Sequence, residues 1–439
     1  MSEKVDLLLH ARWIIPVVPE NQLLEHHSLA IKDGHIHALL PTAQAKVAYR
    51  GEVEKTLTDQ ALIPGLINSH THAAMALLRG LADDMPLMTW LNEHIWPAEG
   101  RWICEEFVHD GSQLAIAEML LGGTTCFNDM YFFPEVTGRV ADAAGIRAVL
   151  GLIAIDFPSA WADNGDEYLH KGLQVHDQFR SHPLIHTAFA PHAPYSVADP
   201  VLQRIQVLAD ELEIPVHIHL HETDDEIRQS LQQHACRPMA RLQQLGLLSP
   251  SLMAIHMTHL EVKEIETFAA SAGHVVHCPE SNLKLASGFC PVQRLLRAGV
   301  NLALGTDGAA SNNDLDMFSE MRTAALLAKG VAADASALPA SSALSMATIN
   351  GARALGLEQV TGSLQVGKSA DLVAVALDRI QSQPLYHPIS QLVYTCGREQ
   401  VRHVWVAGRQ LVSEGCLTTL DSEHLLKRAA YWQEKIAES

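Results

Sequence analysis

Between residues 61 and 305, short apolar runs alternate with longer segments whose apolar residues recur at helical spacing, as at 107–121 and 134–144. The candidate strands are 61–67, 124–128, 147–155, 186–190, 216–221, 252–256, 274–277 and 301–305. This alternation is typical of parallel βα units, because parallel strands need a long crossover and a helix usually supplies it. Eight such units predict a TIM (β/α)8 barrel, in which the chemistry lies at the carboxyl ends of the strands.

Short β segments occupy both ends of the chain. Residues 1–60 contain candidate strands and an Asp33-Gly34 pair suited to a hairpin turn, and residues 361–439 contain further short strands and a last helix at 421–438. Neither end is long enough to bury a core alone. We therefore predict an α/β protein in which 1–60 and 361–439 form the two halves of a small β-sandwich, and 61–360 form a metal-dependent catalytic barrel.

Composition limits the classes of function. The chain has 439 residues, a formal net charge of −19 and 18% charged residues, which is the profile of an acidic globular enzyme and argues against a nucleic-acid partner. The apolar runs are shorter than the ~20 residues that a membrane span needs, and no signal sequence is evident, so we expect a cytoplasmic location and no membrane partner. The seven cysteines include no C-x-x-C pair, which favours buried free thiols.

Two histidines close the first candidate strand of the barrel. His70 and His72 are two positions apart, so an extended chain directs both side chains to one face. Two imidazoles at a strand end can hold one side of a divalent metal and leave room for further ligands and a water. The pair is weak evidence alone, since the chain has 25 histidines.

Three other strand ends carry groups that could complete such a site. His217, His219 and His221 alternate along one strand, and Glu222 follows them. One inward histidine is more often a core group, but three with an adjacent acid are hard to explain by packing. His256 ends the next strand as either a core or a site residue, and Asp307 follows a later strand as either a ligand or a turn former.

Three imidazoles and one carboxylate form a suitable ligand set for one divalent cation, with Zn²⁺ as the first choice and Fe²⁺ as an alternative. The predicted ligands are His70, His72, His219 and Asp307, although spacing alone does not decide between His219 and its two neighbours. Glu222 is then free to act as a general base and then a general acid, and His256 can orient the attacking group.

The chain resembles the amidohydrolase superfamily, in the mononuclear branch that contains nucleoside and purine deaminases, and more narrowly the 5-methylthioadenosine/S-adenosylhomocysteine deaminase family. The matching motifs extend along the whole length and lie at 64–72, 90–91, 96–99, 122–125, 191–196, 219–223, 256, 277–285, 305–308 and 362–372.

This resemblance implies that His219 is the third histidine ligand and that one metal ion is bound per subunit. It also implies that Glu99 accepts the ribose hydroxyls, that His192 contacts the substrate, and that Trp90 belongs to the substrate site. The implied reaction is attack of hydroxide on C6 of an adenine, protonation of N1 by Glu222 and loss of ammonia with help from Asp307. A small nucleoside substrate and a homo-oligomer, either dimer or tetramer, are the expected partners.

Two other functions compete with this one. A deaminase or dechlorinase of a free base or triazine would use the same metal centre, but a free base has no ribose diol for Glu99. A catalytically silent binding protein would be expected to lack a ligand or the acid, and all are present.

The loop at 156–167 bears on the choice of substrate. Relatives that accept S-adenosylhomocysteine meet its carboxylate with arginines after the third strand, whereas this loop has four acids and no arginine or lysine. We therefore expect methylthioadenosine to be preferred, with its methylthio group against Phe157 or Trp161.

Overall fold

The first four strands of the chain lie in one sheet. In the computed structural model, which describes residues 2–437, they are β1 (Glu3–Ile14), β2 (Leu24–Lys32), β3 (His35–Pro41) and β4 (Tyr49–Pro64). β1 pairs antiparallel with β2 and parallel with β4, while β3 pairs antiparallel with β2. The predicted turn between β2 and β3 is present, and Asp33 and Gly34 have the positive φ values, 50° and 74°, that a tight hairpin turn requires.

Eight parallel strands then form the barrel. They are β5 (Leu66–Thr71), β6 (Thr124–Asp129), β7 (Arg147–Ala154), β8 (Ile185–Pro191), β9 (Val216–Leu220), β10 (Leu252–His256), β11 (His274–His277) and β12 (Asn301–Leu304). Each strand is the neighbour of the one before it in the sheet. Beyond β12, the Asp307 amide donates to the His70 carbonyl at 3.0 Å, which connects the last strand end to the first. The predicted (β/α)8 barrel is confirmed.

The last four strands complete the first sheet. They are β13 (Leu372–Ala376), β14 (Val401–Val406), β15 (Arg409–Ser413) and β16 (Cys416–Leu417). β13 pairs antiparallel with β4, so that both chain ends share one eight-stranded sheet. Buried Leu9, Leu29, Leu372 and Trp405 belong to one small apolar core there. The prediction that the two ends combine beside the barrel is confirmed, and the strands of the predicted β-sandwich form one continuous eight-stranded sheet.

Gly65 separates this sheet from the barrel. We predicted one strand at 61–67, but residues 61–64 end β4 and β5 starts at Leu66. A Cβ atom on Gly65 would lie 1.9 Å from Thr125 Oγ1, so only glycine allows the chain to pass so close to β6. β4 also continues past residue 60, and the exact domain borders at 60 and 360 stay a prediction.

Helices cover the barrel and close the chain. They are α1 (Thr42–Ala48), α2 (Leu87–Thr89), α3 (Trp96–Trp102), α4 (Glu105–Leu121), α5 (Pro134–Ala144), α6 (Gly165–Phe179), α7 (Asp199–Leu212), α8 (Asp224–His234), α9 (Pro238–Gln244), α10 (Val262–Ala270), α11 (Pro279–Lys284), α12 (Val292–Arg297), α13 (Met317–Ala332), α14 (Ala340–Met346), α15 (Ile349–Ala354), α16 (Pro388–Tyr394) and α17 (Ser422–Ala437). A π-helical segment, Trp90–Ile95, precedes α3. The predicted helix at 421–438 corresponds to α17, and its last residue, Glu438, lies outside the described residues.

A buried ion pair joins the barrel to the β domain. Arg147, at the start of β7, contacts Asp371 Oδ2 through Nε at 3.0 Å, and it also donates to Ser369 Oγ at 3.0 Å. Arg147 and Asp371 are almost fully buried. Over residues 2–437, no helix combines the length and the apolarity that crossing a bilayer would take.

Candidate metal centre and substrate cavity

The four predicted ligands lie together at the carboxyl ends of the barrel strands. His70 is on β5, His72 follows it, His219 is on β9 and Asp307 follows β12. One donor atom from each lies within 4.8 Å of all the others. Asp307 Oδ1 is 3.3 Å from His70 Nε2 and 3.2 Å from His72 Nε2, and the Nε2 atoms of His70 and His219 are 3.2 Å apart.

Hydrogen bonds to the other ring nitrogens orient these imidazoles. His72 Nδ1 donates to the Met130 carbonyl at 2.6 Å, and His219 Nδ1 donates to the His192 carbonyl at 2.7 Å. A neutral imidazole that donates through Nδ1 has its lone pair on Nε2, which is the atom that faces the centre in both residues. His70 Nδ1 lies 2.8 Å from His217 Nε2.

The electrostatics of the centre favour a positive charge beside Asp307. Burial disfavours charge on all these groups and lowers the pKa of His70 to about 4. Against that effect, the Asp307 carboxylate raises the pKa of His72 to about 9, and the two histidines hold the pKa of Asp307 well below its ordinary value. Three nitrogen donors and one carboxylate oxygen therefore converge on a point that stabilises a cation, and this donor set fits one divalent metal ion.

The structure separates the three alternating histidines of β9 and its end. Only His219 belongs to the four-residue cluster, while His217 lies behind His70. His221 has a positive φ of 52° and directs its ring away, with Nδ1 donating to the His259 carbonyl and Nε2 accepting from the Met239 amide.

Glu222 and His256 stand beside the cluster. Glu222 Oε2 is 3.9 Å from His256 Nε2, and Ser287 Oγ donates to Glu222 Oε1 at 3.4 Å. Burial raises the pKa of Glu222, which suits a group that must both accept and deliver a proton. His256 Nδ1 donates to Asn282 Oδ1 at 2.8 Å, which holds the ring with its Nε2 atom on the side of Glu222.

A cavity opens from this cluster towards residues 87–99. Trp90, from the π-helical segment, forms part of the wall and donates through its indole to the Ala82 carbonyl. Glu99, on α3, lies in the same cavity, accepts from the Tyr131 hydroxyl at 2.8 Å, and has its pKa raised by burial to about 7. His192 faces the cavity as a neutral ring, since burial lowers its pKa to about 3.

Comparison with known proteins decides the family. The amidohydrolase family profile matches residues 61–411, which covers the barrel and most of the second β segment. The chain belongs to the amidohydrolase family. This confirms the resemblance inferred from the motifs.

Several relatives of this amidohydrolase are similar over their whole length. It is 54% identical to a 5-methylthioadenosine/S-adenosylhomocysteine deaminase of Teredinibacter turnerae, with 98% of each chain covered, and 52% identical to a protein of the same name from Saccharophagus degradans, with 98% and 97% covered. A crystal structure of an adenosine deaminase from Xanthomonas campestris with bound zinc superposes with a TM-score of 0.99 at 53% identity, covering all of both chains. Atrazine chlorohydrolase from Arthrobacter aurescens has a TM-score of 0.91 at 21% identity, over 97% of this chain and 99% of its own, and shares the fold.

The loop at 156–167 of this amidohydrolase supplies one of the two aromatic residues that were alternatives for the methylthio contact. Phe157 lines the cavity, but Trp161 packs beside the Tyr168 ring and donates to Glu135 Oε1. The described residues that line the cavity include no arginine or lysine. Arg139 does not line the cavity, because its exposed side chain lies 3.7 Å from Glu105.

Sequence reasoning missed several residues that support the site. Glu226, in the first turn of α8, accepts from the backbone amides of His221 and Glu222 at 2.9 and 2.7 Å. Ser281 Oγ donates to Asp307 Oδ2 at 2.6 Å, and Tyr131 contacts Glu99. The motif at 277–285 contains Ser281 and Asn282 and could have indicated them, whereas Glu226 and Tyr131 carry no comparable signal.

Proposed function

We propose that this amidohydrolase is a metal-dependent hydrolytic deaminase that converts an adenosine analogue to the inosine analogue and ammonia. The observation that carries the proposal is Glu99, a half-buried acid that lines one cavity with Glu222 and three members of the four-residue cluster. A free base has no diol that could hydrogen-bond to the Glu99 carboxylate, whereas the ribose of a nucleoside has one. The relatives with 52–54% identity that are named 5-methylthioadenosine/S-adenosylhomocysteine deaminases support the same class of substrate.

One Zn²⁺ per subunit is the proposed cofactor, held by His70, His72, His219 and Asp307. The ion would act as a Lewis acid and lower the pKa of water at the site. The zinc in the Xanthomonas campestris structure supports this assignment, as does the fit of the donor set described above.

The proton transfers are assigned to residues beside the ligands. Glu222 accepts a proton from the attacking water and delivers it to N1 of the adenine as the C6–O bond forms. His256, whose ring is fixed by Asn282, orients the attacking oxygen through Nε2. Asp307 then passes the proton of the new C6 hydroxyl to the amino group, and the C6–N bond breaks so that ammonia leaves as the C6 carbonyl forms. Water and the adenine amino group are thus exchanged for a C6 carbonyl and ammonia.

Three residues are assigned to binding of the nucleoside. Glu99 accepts hydrogen bonds from the ribose hydroxyls, and Trp90 forms part of the cavity wall. His192 forms a hydrogen bond with the base through the ring nitrogen that does not contact Ser196. His192 Nδ1 is 2.8 Å from Ser196 Oγ, so the Nε2 edge is the free one.

Among adenosine analogues, 5′-methylthioadenosine is the favoured substrate. Phe157 supplies an apolar contact for a methylthio group. The described residues that line the cavity include no arginine or lysine that could compensate the buried carboxylate of S-adenosylhomocysteine. We expect kcat/KM for methylthioadenosine to exceed that for S-adenosylhomocysteine by at least ~10-fold, which corresponds to ~1.4 kcal/mol.

A substrate panel tests the proposal. Ammonia release is measured at one pH and low salt with methylthioadenosine, adenosine, S-adenosylhomocysteine, guanine and cytosine, and release of chloride is measured with a chlorotriazine. Turnover of the adenosine analogues, with methylthioadenosine first, is the expected result. Turnover of a free base or the triazine alone would favour the alternative function, and equal efficiencies for the two thio compounds would indicate a cation from a partner subunit.

We also propose a cytoplasmic homo-oligomer, either a dimer or a tetramer. The seven free cysteines support a reducing compartment, since disulfides are rare there. Light scattering coupled to size-exclusion chromatography gives the mass of the assembly, and a monomer at micromolar concentration would contradict the oligomer.

A further inference from the structure

Tyr131 and Glu99 form an isolated pair in the wall of the cavity. Tyr131 lies two residues beyond the end of β6, whereas Glu99 is on the short helix α3. The Tyr131 hydroxyl donates to Glu99 Oε1 at 2.8 Å, and both side chains line the cavity. Tyr131 is only 3% exposed, so this hydrogen bond to a carboxylate is shielded from water.

The contact leaves one carboxylate oxygen available. A carboxylate accepts through two oxygens, and Tyr131 is the one described residue that hydrogen-bonds the Glu99 side chain. Oε2 is therefore the atom that a ligand in the cavity can reach. Burial, together with the nearby Glu99 carboxylate, holds the pKa of Tyr131 well above its ordinary value, so the phenol keeps its proton and remains a donor.

A long carboxylate side chain on a short helix needs such a contact to hold one orientation. α3 has seven residues, none of them buried, and Glu99 has several rotatable bonds. β6, by contrast, is fully buried, so the backbone that leads to Tyr131 is held in place by the barrel. The direction of Glu99 is thus set from the barrel and not from its own helix.

We propose that Tyr131 is a positioning residue that fixes Glu99 for the ribose hydroxyls, so that discrimination in favour of an intact ribose depends on the Tyr131 phenol. This inference rests on the proposed function. The role differs from general packing because loss of the Tyr131 hydroxyl should lower kcat/KM only for substrates that carry the ribose hydroxyls.

The test compares two substrates that differ only in the ribose. kcat/KM is measured for adenosine and 2′,3′-dideoxyadenosine with the wild-type enzyme, Tyr131→Phe and Tyr195→Phe. Tyr195 lines the same cavity and is the matched control, because Tyr195→Phe also removes a tyrosine hydroxyl but one that does not contact Glu99. We expect Tyr131→Phe to lower the adenosine-to-dideoxyadenosine ratio by about 10-fold, as for one hydrogen bond to a charged group. Tyr195→Phe should leave this ratio within about twofold of wild type.

A binding measurement without turnover completes the test. Calorimetric affinities for inosine and 2′,3′-dideoxyinosine should show the same change of ratio in Tyr131→Phe. An equal loss on both members of a pair would overturn the proposal and make Tyr131 a structural residue. A wild-type enzyme that prefers neither member of the pairs would also overturn it. Failure of the proposed function is recognised separately, because the wild-type enzyme would then release ammonia from neither adenosine compound.

Discussion

The ring of His219 points its Nε2 atom at His70 because its Nδ1 atom donates to the His192 carbonyl. His219→Ala removes one of three nitrogen donors, so we expect most of the bound metal and nearly all turnover to be lost. Elemental analysis of the purified variant gives the metal content. His234→Ala, an exposed histidine on α8, is the control and should keep both. A full metal content in His219→Ala would mean that another histidine is the ligand.

Glu222 lies beside the ligands without belonging to the four-residue cluster. Glu222→Gln keeps the size of the side chain but cannot accept the proton of the water. We therefore expect normal metal content and a fall in kcat of at least ~10²-fold, the usual scale for a positioned acid–base group. Kinetics and metal analysis on the same preparation separate the two roles, and loss of metal would move Glu222 into the ligand set.

At the scale of elements, the first turn of α8 holds the end of β9 in place. Glu226 is buried and binds two successive backbone amides, including that of Glu222. Burial raises its pKa, while the hydrogen bonds from the amides of His221 and Glu222 oppose that shift and favour the carboxylate form. This arrangement makes α8 part of the support for the acid–base group, although no side chain of α8 lines the cavity.

Glu226→Gln tests this support. The amide oxygen can accept only one of the two backbone hydrogen bonds well, because the NH₂ group would face the other donor. We expect kcat to fall by about 10-fold with normal metal content, while the midpoint of thermal unfolding changes little compared with the loss of activity. Glu211→Gln, exposed on α7, is the control. An unchanged kcat in Glu226→Gln would show that the end of β9 keeps its position without the hydrogen bonds from Glu226.

The elements also show where sequence patterns stop being informative. The alternation of apolar runs and helical segments predicted seven of the eight barrel strands close to their positions. The run at 61–67, however, contains the end of β4 and the start of β5, which belong to different sheets. Nothing in its apolar pattern marks the division, since the residues on both sides of Gly65 are buried. The reason is the close approach of Thr125, which is a tertiary contact.

On the scale of the whole molecule, the barrel and the β domain depend on each other through Arg147 and Asp371. The Arg147 guanidinium holds the pKa of the buried Asp371 carboxyl below its usual range, although burial opposes this. Asp371→Asn would leave a buried guanidinium without its counter-charge. We expect the free energy of unfolding to fall by ~3–5 kcal/mol, measured by urea denaturation.

The control for this change is a surface ion pair of the same domain. Glu414, whose side chain is 62% exposed, pairs with Arg402, and Glu414→Gln should cost less than ~1 kcal/mol. Equal effects of Asp371→Asn and Glu414→Gln would mean that the junction does not hold the domains together.

The sequence was sufficient to predict the barrel, the shared β domain and the four residues that now lie within 4.8 Å of one another. The barrel and most of the cluster follow from local patterns, because strand ends of a parallel barrel meet at one face, whereas the choice of His219 over His217 and His221 came from the family resemblance. The orientation of those side chains was not predictable. The contacts of His219 with His192, of Glu226 with β9 and of Tyr131 with Glu99 join segments that only the folded chain brings together.

In the proposed reaction, an oxygen atom from water replaces the amino group at C6 of an adenosine analogue. Turnover of methylthioadenosine in ¹⁸O-labelled water, followed by mass spectrometry of the product and an assay of ammonia, tests it directly. Methylthioinosine that carries one labelled oxygen for each ammonia released is the expected product. Free adenine, an unlabelled product, or no ammonia would contradict it.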